Sequence, residues 1–374
     1  MPKTTGVTFV STEAEKMQFI QFPYDHYKSD TFWVAPLVSE QKKLLDTEKN
    51  PFFTEAEMAL FLAEENGEVA GRIAAIIDYR FNEYHDTKTG FFGFFESRES
   101  QAVTDLLFRV ASDWLREKGM NQLTGPANPS MMDEIGILVE GFEKYPYVMM
   151  PYHKAYYDSL IRNSGMEKAI DMFAFEVNQD GVNRERMNRA VQIVKKRMPE
   201  LQIREVNLKD LKNELKIIHH IFNEAWKNNW GFIPLRWEEI EAFGKELKSV
   251  VDPRFAHVAE IDGEPVAFSI ALPDYNQVLS KMNGKLFPFG IIKFLYYRRK
   301  IDRIRTALMG VLPKYRGKGI DALLHHKSIE NGLIYGKYAS ELSWILETNK
   351  EMIRVAERIG ATRTKTYRMY RKEL

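Results

Sequence analysis

A chain of 374 residues, 44% hydrophobic and 13% aromatic, is long for one core and amply supplied for two, which excludes a disordered segment. Its 53 basic and 52 acidic residues leave a formal charge of +1, so composition gives no electrostatic case for nucleic acid. The absence of cysteine excludes disulfides, thiolate metal sites and cysteine nucleophiles, and fits a reducing compartment.

The opening MPKTTGVTFVSTEAEK holds no apolar core of signal-peptide length, and no run approaches a bilayer span. The expectation is a cytoplasmic protein without stable membrane insertion. The nearest exception, Leu286–Tyr297 (LFPFGIIKFLYY), is short, carries Lys293 and runs into Arg298-Arg299-Lys300. It reads as a buried or acyl-chain-contacting helix, with grazing of a membrane as the alternative.

In chain order, Gly6–Val10 reads as a strand and Thr12 with Glu15 as a capping box opening a helix. Met58–Glu64 and Glu68–Asp78 are strands joined by Asn66-Gly67, a hairpin dipeptide. Phe91–Phe95 is a third strand, followed by Glu96-Ser97-Arg98-Glu99-Ser100 without glycine and then the amphipathic helix Gln101–Lys118. Met120–Gly125, a turn-rich segment, a helix at Lys154–Asn163 and a strand at Ile170–Val177 complete this half.

After a helix at Met187–Arg197 the order restarts. Leu201–Val206 is a strand, Leu208–Asn229 and Trp237–Ser249 are helices, and Phe255–Ile261 and Pro265–Leu272 are strands joined by Asp262-Gly263. A helical insert precedes strand Arg303–Leu312, helix Ile320–Tyr335, strand Ser340–Leu346, helix Lys350–Arg358 and strand Thr362–Arg371. The repeated order predicts a duplicated α/β unit with mixed sheets: residues 1–180, a linker helix at 181–200, and residues 201–374.

The most informative stretch is Val311-Leu312-Pro313-Lys314-Tyr315-Arg316-Gly317-Lys318-Gly319-Ile320. A strand meets a glycine-bearing basic turn and then a helix start, a geometry that aims backbone N–H groups and a helix dipole at an anion. These residues resemble the pyrophosphate loop of the GNAT superfamily of acyl-CoA-dependent N-acyltransferases. Glu347-Thr348-Asn349, with Gly360 eleven residues after the Asn, is similar to that family's strand, Asn and closing helix. Gly125-Pro126-Ala127-Asn128-Pro129-Ser130-Met131-Met132-Asp133-Glu134, together with the run from Asn223 to Pro234, resembles a bacterial tandem family of this kind.

The resemblance implies two tandem GNAT-like domains, the first degenerate because it lacks the loop. It implies acetyl-CoA or a longer acyl-CoA as co-substrate, held by Met309, Gly310, Val311, Arg316, Gly317, Lys318, Gly319, Ile320, Asp321 and Asn349. It implies N-acyl transfer, with N-acetyl transfer foremost, to an amine of a small molecule, amino acid or peptide, and leaves a homodimer open. Glu347 is the candidate base, and Tyr367 and Tyr370 are candidate acids for the leaving thiolate, since Ala356 stands where the family carries Tyr. Trp226, Asn229 and Trp230, with Asn128 and Ser130, are the candidate acceptor contacts. Neither His219-His220 nor His325-His326 has the spacing of a zinc site, and no metal is expected. Asp321, a carboxylate in the first helical turn where phosphates would sit, departs from the family pattern. The alternative function is therefore an inactive GNAT-fold protein that binds a ligand or partner.

Overall fold

A computed structural model describes residues 5–248, 250–286 and 289–374. In chain order its first elements are β1 (Thr5–Phe9), α1 (Glu13–His26), α2 (Val38–Leu44), β2 (Ala56–Glu65), β3 (Glu68–Asp78), α3 (Tyr79–His85), β4 (Thr89–Ser97), α4 (Gln101–Glu117), β5 (Gln122–Gly125), the short β6 (Ala127–Asn128) and β7 (Glu134–Ile135), β8 (Ile137–Glu140), α5 (Tyr157–Asn163) and β9 (Glu167–Asn178). There follow α6 (Arg184–Arg197), β10 (Leu201–Glu205), α7 (Leu211–Trp226), α8 (Trp237–Leu247), β11 (Ala256–Ile261), β12 (Glu264–Pro273), α9 (Asn276–Leu279), α10 (Gly290–Tyr297), β13 (Arg303–Val311), α11 (Ile320–Ile334), β14 (Ala339–Leu346), α12 (Lys350–Arg358) and β15 (Thr362–Glu373). The expected end of α8 at Ser249, and Phe287 and Pro288 of the apolar insert, lie outside the described residues.

Two compact units result: Met1–Met172 with Leu279–Leu295 and Lys365–Leu374, and Phe173–Val278 with Tyr296–Thr364. These bounds differ from the sequence-based ones in two places. The helix expected as a linker at 181–200 packs with the second unit, Val191 and Val194 of α6 meeting Ile320, Leu323 and Leu324 of α11 in its core. The last ten residues belong to the first unit, where β15 pairs with β5 at Tyr370↔Gly125 and with β8 at Tyr367↔Leu138.

In the first unit, β1, β2, β3 and β4 pair antiparallel in sequence order, and β4 then runs parallel to β5. Helix α4 covers this sheet. Val103, Leu107, Phe108, Ala111 and Leu115 recur on one helical face and bury against Phe92, Phe95 and Ile73. The second unit repeats the plan: β10, β11, β12 and β13 are antiparallel neighbours, β13 is parallel to β14, and α11 covers the sheet. Each unit's central strand, β4 or β13, carries one extra residue against its antiparallel neighbour, a β-bulge near the point where it leaves the next strand.

The insert before β13 departs from the buried form of its expectation. Ile292, Leu295 and Tyr296 of α10, and Phe289 just before it, are exposed. No described helix is long and apolar enough to cross a membrane.

Candidate active site

In the second unit the parallel pairing of β13 with β14 covers Arg303–Thr306 against Ala339–Leu342 and goes no further. Met309, Gly310 and Val311 lie beyond it, still paired to β12 on the other edge. The two strands thus splay, and the gap opens toward the loop 312–319. Helix α7 roofs it: a Cβ on Gly310 would lie 3.3 Å from both Ala225 and Ile221, and 2.9 Å from Phe268 Cε1. Trp226 Nε1 donates to the Met309 carbonyl at 2.9 Å, fixing the end of α7 to the strand.

The loop itself is exposed. Gly317 and Gly319 take φ of 69° and 85°, the left-handed region where glycine carries no steric penalty. Nothing stands within 4 Å of where a Gly317 Cβ would be, whereas a Gly319 Cβ would meet Val194 of α6 at 2.7 Å. Gly319 is the N-cap of α11 and supplies no side-chain cap, so the helix's first amides are available to an anion. The Lys314 and Lys318 ammonium groups both hover over the Tyr315 ring, at 5.3 and 5.0 Å. Arg316 curls away from this cradle; its guanidinium donates to the Ala225 carbonyl. Asp321 sits half-buried in the first turn, one turn before His325. Burial holds His325 down to about 4, with Asp321 opposing. Among the described residues His325 Nε2 and Ser328 Oγ have no hydrogen-bond partner, and both residues line a mainly apolar cavity of ≈ 30 Å³ beneath α11.

The remaining expected site residues fall in several places. Glu347 is half-buried just past the end of β14. Asn349 is exposed and caps α12, its side chain accepting from the Met352 N–H at 3.1 Å. Asn229 makes a turn, its carbonyl accepting from Phe232 N–H, and Trp230 is half-buried beside it. Asn223, quoted above only within a motif, proves to be the strut of this acceptor loop: it accepts from Leu235 N–H at 2.9 Å and donates to the Leu235 carbonyl at 3.1 Å. Tyr367 and Tyr370 are fully buried in the first unit. The Tyr370 hydroxyl donates to Asp158 at 2.5 Å, and burial together with that carboxylate raises its pKa. The structure therefore engages the Tyr370 hydroxyl within the first unit.

In the first unit the equivalent splay is filled by the chain's own next segment. The β4–β5 pairing covers Thr89–Phe91. Beyond it, Phe94, held at φ 50°, donates its N–H to Asn128 Oδ1 at 2.6 Å. A Cβ on Gly93 would lie 1.9 Å from the Ala127 carbonyl oxygen. Ser130 closes on Asp133 (2.6 Å) within the same turn.

Sequence reasoning missed a polar cluster here. Glu96 is 8% exposed, and one carboxylate oxygen accepts from Tyr27 and from Tyr157, each at 2.7 Å. His26 Nε2 lies 3.1 Å from the same Tyr157 hydroxyl. Arg72, buried on β3, is the register partner of Glu96. Burial raises the Glu96 pKa, against the pull of Arg72, and lowers that of His26 to about 4. A signal existed: a lone carboxylate ending the apolar run FFGFFE is buried unless the strand stops short.

Two like units, each an antiparallel sheet with one parallel splay and a covering helix, define a tandem GNAT fold, the fold of a class of acyltransferases. Solved structures agree with this at the level of fold. A tandem GNAT protein from the clavulanic acid biosynthesis pathway matches with TM-score 0.58 at 10% identity, over 99% of this chain and 98% of that one. A glucosamine N-acetyltransferase region of a fungal multi-domain β-N-acetylglucosaminidase matches at TM-score 0.60 and 14% identity, over the whole of this chain and 38% of that one. No protein-family model matches the chain. It is 36% identical over 374 residues to the bacterial ceramide synthase of Caulobacter vibrioides, covering 98% of this chain and 96% of that protein. It is 35% identical over 364 residues to protein YghO of Escherichia coli, covering 95% and 92%. The chain belongs to the family of these two bacterial proteins.

Proposed function

We propose that the protein is an N-acyltransferase that takes a long-chain acyl group from acyl-CoA and joins it to the amine of a long-chain amino alcohol, as the name of its 36% identical relative indicates for that protein. The observation that carries the CoA part is the contrast between splays: among the described residues, the second unit's strand runs past its parallel pairing into a glycine turn at a helix N-terminus, whereas the first unit's does not. The pyrophosphate would lie on the amides from Gly317 to Asp321, with Lys314 and Lys318 as counter-charges. The pantetheine arm would follow Met309 to Val311 into the splay. The printed name of that relative is what favours a longer donor over acetyl, and an amino alcohol with a lipid tail as the acceptor.

In the transfer, the amine nitrogen attacks the thioester carbonyl carbon, the C–S bond breaks, and the electron pair leaves on sulfur. The amine proton goes to a base, for which Glu347 is the candidate, and the thiolate takes its proton from water. Ala356 carries no acidic group, and the Tyr370 hydroxyl is engaged by Asp158.

The test is direct. Purified protein with a long-chain acyl-CoA and a sphingoid base should release free thiol and form the amide, detected by mass spectrometry. Glu347→Gln should lower kcat by about a hundredfold or more with little change in KM for acyl-CoA. Acyl-CoA binding without amide formation across long-chain, short-chain and amino-acid amines would overturn the proposal, and a fully active Glu347→Gln enzyme would remove Glu347 as base.

A further inference from the structure

Helix α10 turns an unusual face to solvent. Gly290, Phe294 and Tyr297 recur along one side and are buried or half-buried. The opposite side of an ordinary surface helix is polar. Here Phe289 is 69% exposed, Ile292 63%, Tyr296 56% and Leu295 49%, with Ile291 at 40%. Among the exposed residues between 289 and 296 only Lys293 is charged. Single exposed apolar residues are common, but five within two turns form a contiguous patch.

The patch sits in a segregated charge field. Lys281, Lys285, Lys293, Arg298, Arg299 and Lys300 are all exposed, and no acidic residue occurs from Lys281 to Lys300, in a chain whose net charge is only +1. The face is held in place. A Cβ on Gly290 would lie 2.2 Å from the Lys285 carbonyl oxygen, and the Lys293 ammonium donates to the Lys281 carbonyl at 3.0 Å. The Lys300 ammonium donates to the Tyr296 hydroxyl at 2.8 Å, joining an aromatic ring to a cation at the end of the helix. Rings with one apolar and one wet end, next to cations on long stems, match the depth at which headgroups meet acyl chains.

We infer that α10 and its flanking cations dock on the surface of an anionic phospholipid bilayer. The apolar face lodges among the outer acyl carbons and the cations lie at phosphate level. A second copy of the chain is the poorer occupant, because a two-fold interface would bring two such basic belts against each other. The inference does not depend on the acyl-transfer reading, although a docked enzyme would meet long-chain substrates where they reside.

Co-sedimentation with phosphatidylglycerol–phosphatidylcholine vesicles, against pure phosphatidylcholine, tests it on the full chain. The protein is expected to pellet with the anionic vesicles and to be released as salt is raised. Ile292→Gln with Leu295→Gln, both exposed and both replaced by a good helix former, should weaken binding at least tenfold with circular dichroism unchanged. Arg298→Gln, Arg299→Gln and Lys300→Gln together should weaken it by about a hundredfold on the anionic vesicles. No pelleting with either vesicle, or pelleting unaffected by the Ile292 and Leu295 changes, would overturn the inference. So would a concentration-dependent dimer that those two changes convert to monomer, which would make the face an interface between copies.

Discussion

The two splays invite comparison because their frames are alike and their contents differ. Between β4 and α4 lie three residues without glycine; between β13 and α11 lie eight, with Gly317 and Gly319 in left-handed backbone. Past the parallel pairing, the first unit sends Pro126–Asn128 into its own gap and uses up the Phe94 N–H on Asn128. In the second unit, among the described residues, α7 lies over the strand, Trp226 Nε1 donates to the Met309 carbonyl and the Arg316 guanidinium reaches the Val311 carbonyl. Neither helix start has a side-chain cap, so capping does not distinguish them. A duplicated fold has thus kept its frame twice, while one copy filled its splay with a piece of protein and a buried carboxylate.

Acid gives the largest expected effect and tests whether the filled unit is also the more fragile. His153 Nδ1 accepts the Leu138 N–H at 3.1 Å, and burial holds its pKa down to about 3. A depressed native pKa means the unfolded chain binds the proton first. The stability contribution is therefore complete above about 6.5 and is lost as pH falls toward about 3. His26 in the same unit, and His257 and His325 in the other, are held down to about 4 and run the same way. Stability should fall by roughly 4 kcal/mol on His153 alone across that window. The fall should be shallower in His153→Gln, measured by urea unfolding at a series of pH values. Equal slopes in the two proteins would mean that His153 is not the lever.

Gly93→Ala should come next, at about 3 kcal/mol or more, because the clashing atom is the Ala127 backbone oxygen, which cannot rotate away. Gly310→Ala meets side chains of Phe268, Ala225 and Ile221 and should cost about 1–2 kcal/mol. Its main readout should be a higher KM for acyl-CoA. If the two glycines cost the same, the filled and roofed splays are not different in kind.

Asn128→Ala removes the acceptor of a buried N–H and should cost about 1–2 kcal/mol in thermal or urea unfolding, without giving the first unit any affinity for CoA. Acquired CoA binding would show that the plug alone had closed that unit.

The frame was legible in the sequence because it rests on local signals: the hairpin dipeptides at Asn66-Gly67 and Asp262-Gly263, the stripe on Gln101–Lys118, the glycine turn before Ile320. The plug was not legible. Gly125 to Asn128 reads as a turn in isolation, and only the pairing of β4 with β5 shows that it returns to Phe94. The surroundings of Tyr370 were not legible for the same reason, since a strand at the end of the chain carries no local mark of the unit it joins. Glu96 was read only for what it denied a phosphate. Its two phenol partners come from the residue capping the end of α1 and from α5, each more than 60 residues away, and no spacing rule connects them.

The smallest expected effect falls on Asp321, and it bears most closely on the open splay. A carboxylate in the first turn of α11 favours the helix dipole but repels a pyrophosphate placed on the same amides. Its neighbour one turn on, His325, is neutral at pH 7 and gives no compensation. Asp321→Asn should therefore tighten acyl-CoA binding by about threefold to tenfold, read by isothermal titration. The gain should shrink as salt is raised, because both partners are near solvent. Unchanged affinity would place the carboxylate away from the phosphates. Binding seen only in the Asn variant would mean that the open splay, though shaped for CoA, is held empty by a single charge, and that acyl transfer is not this chain's work.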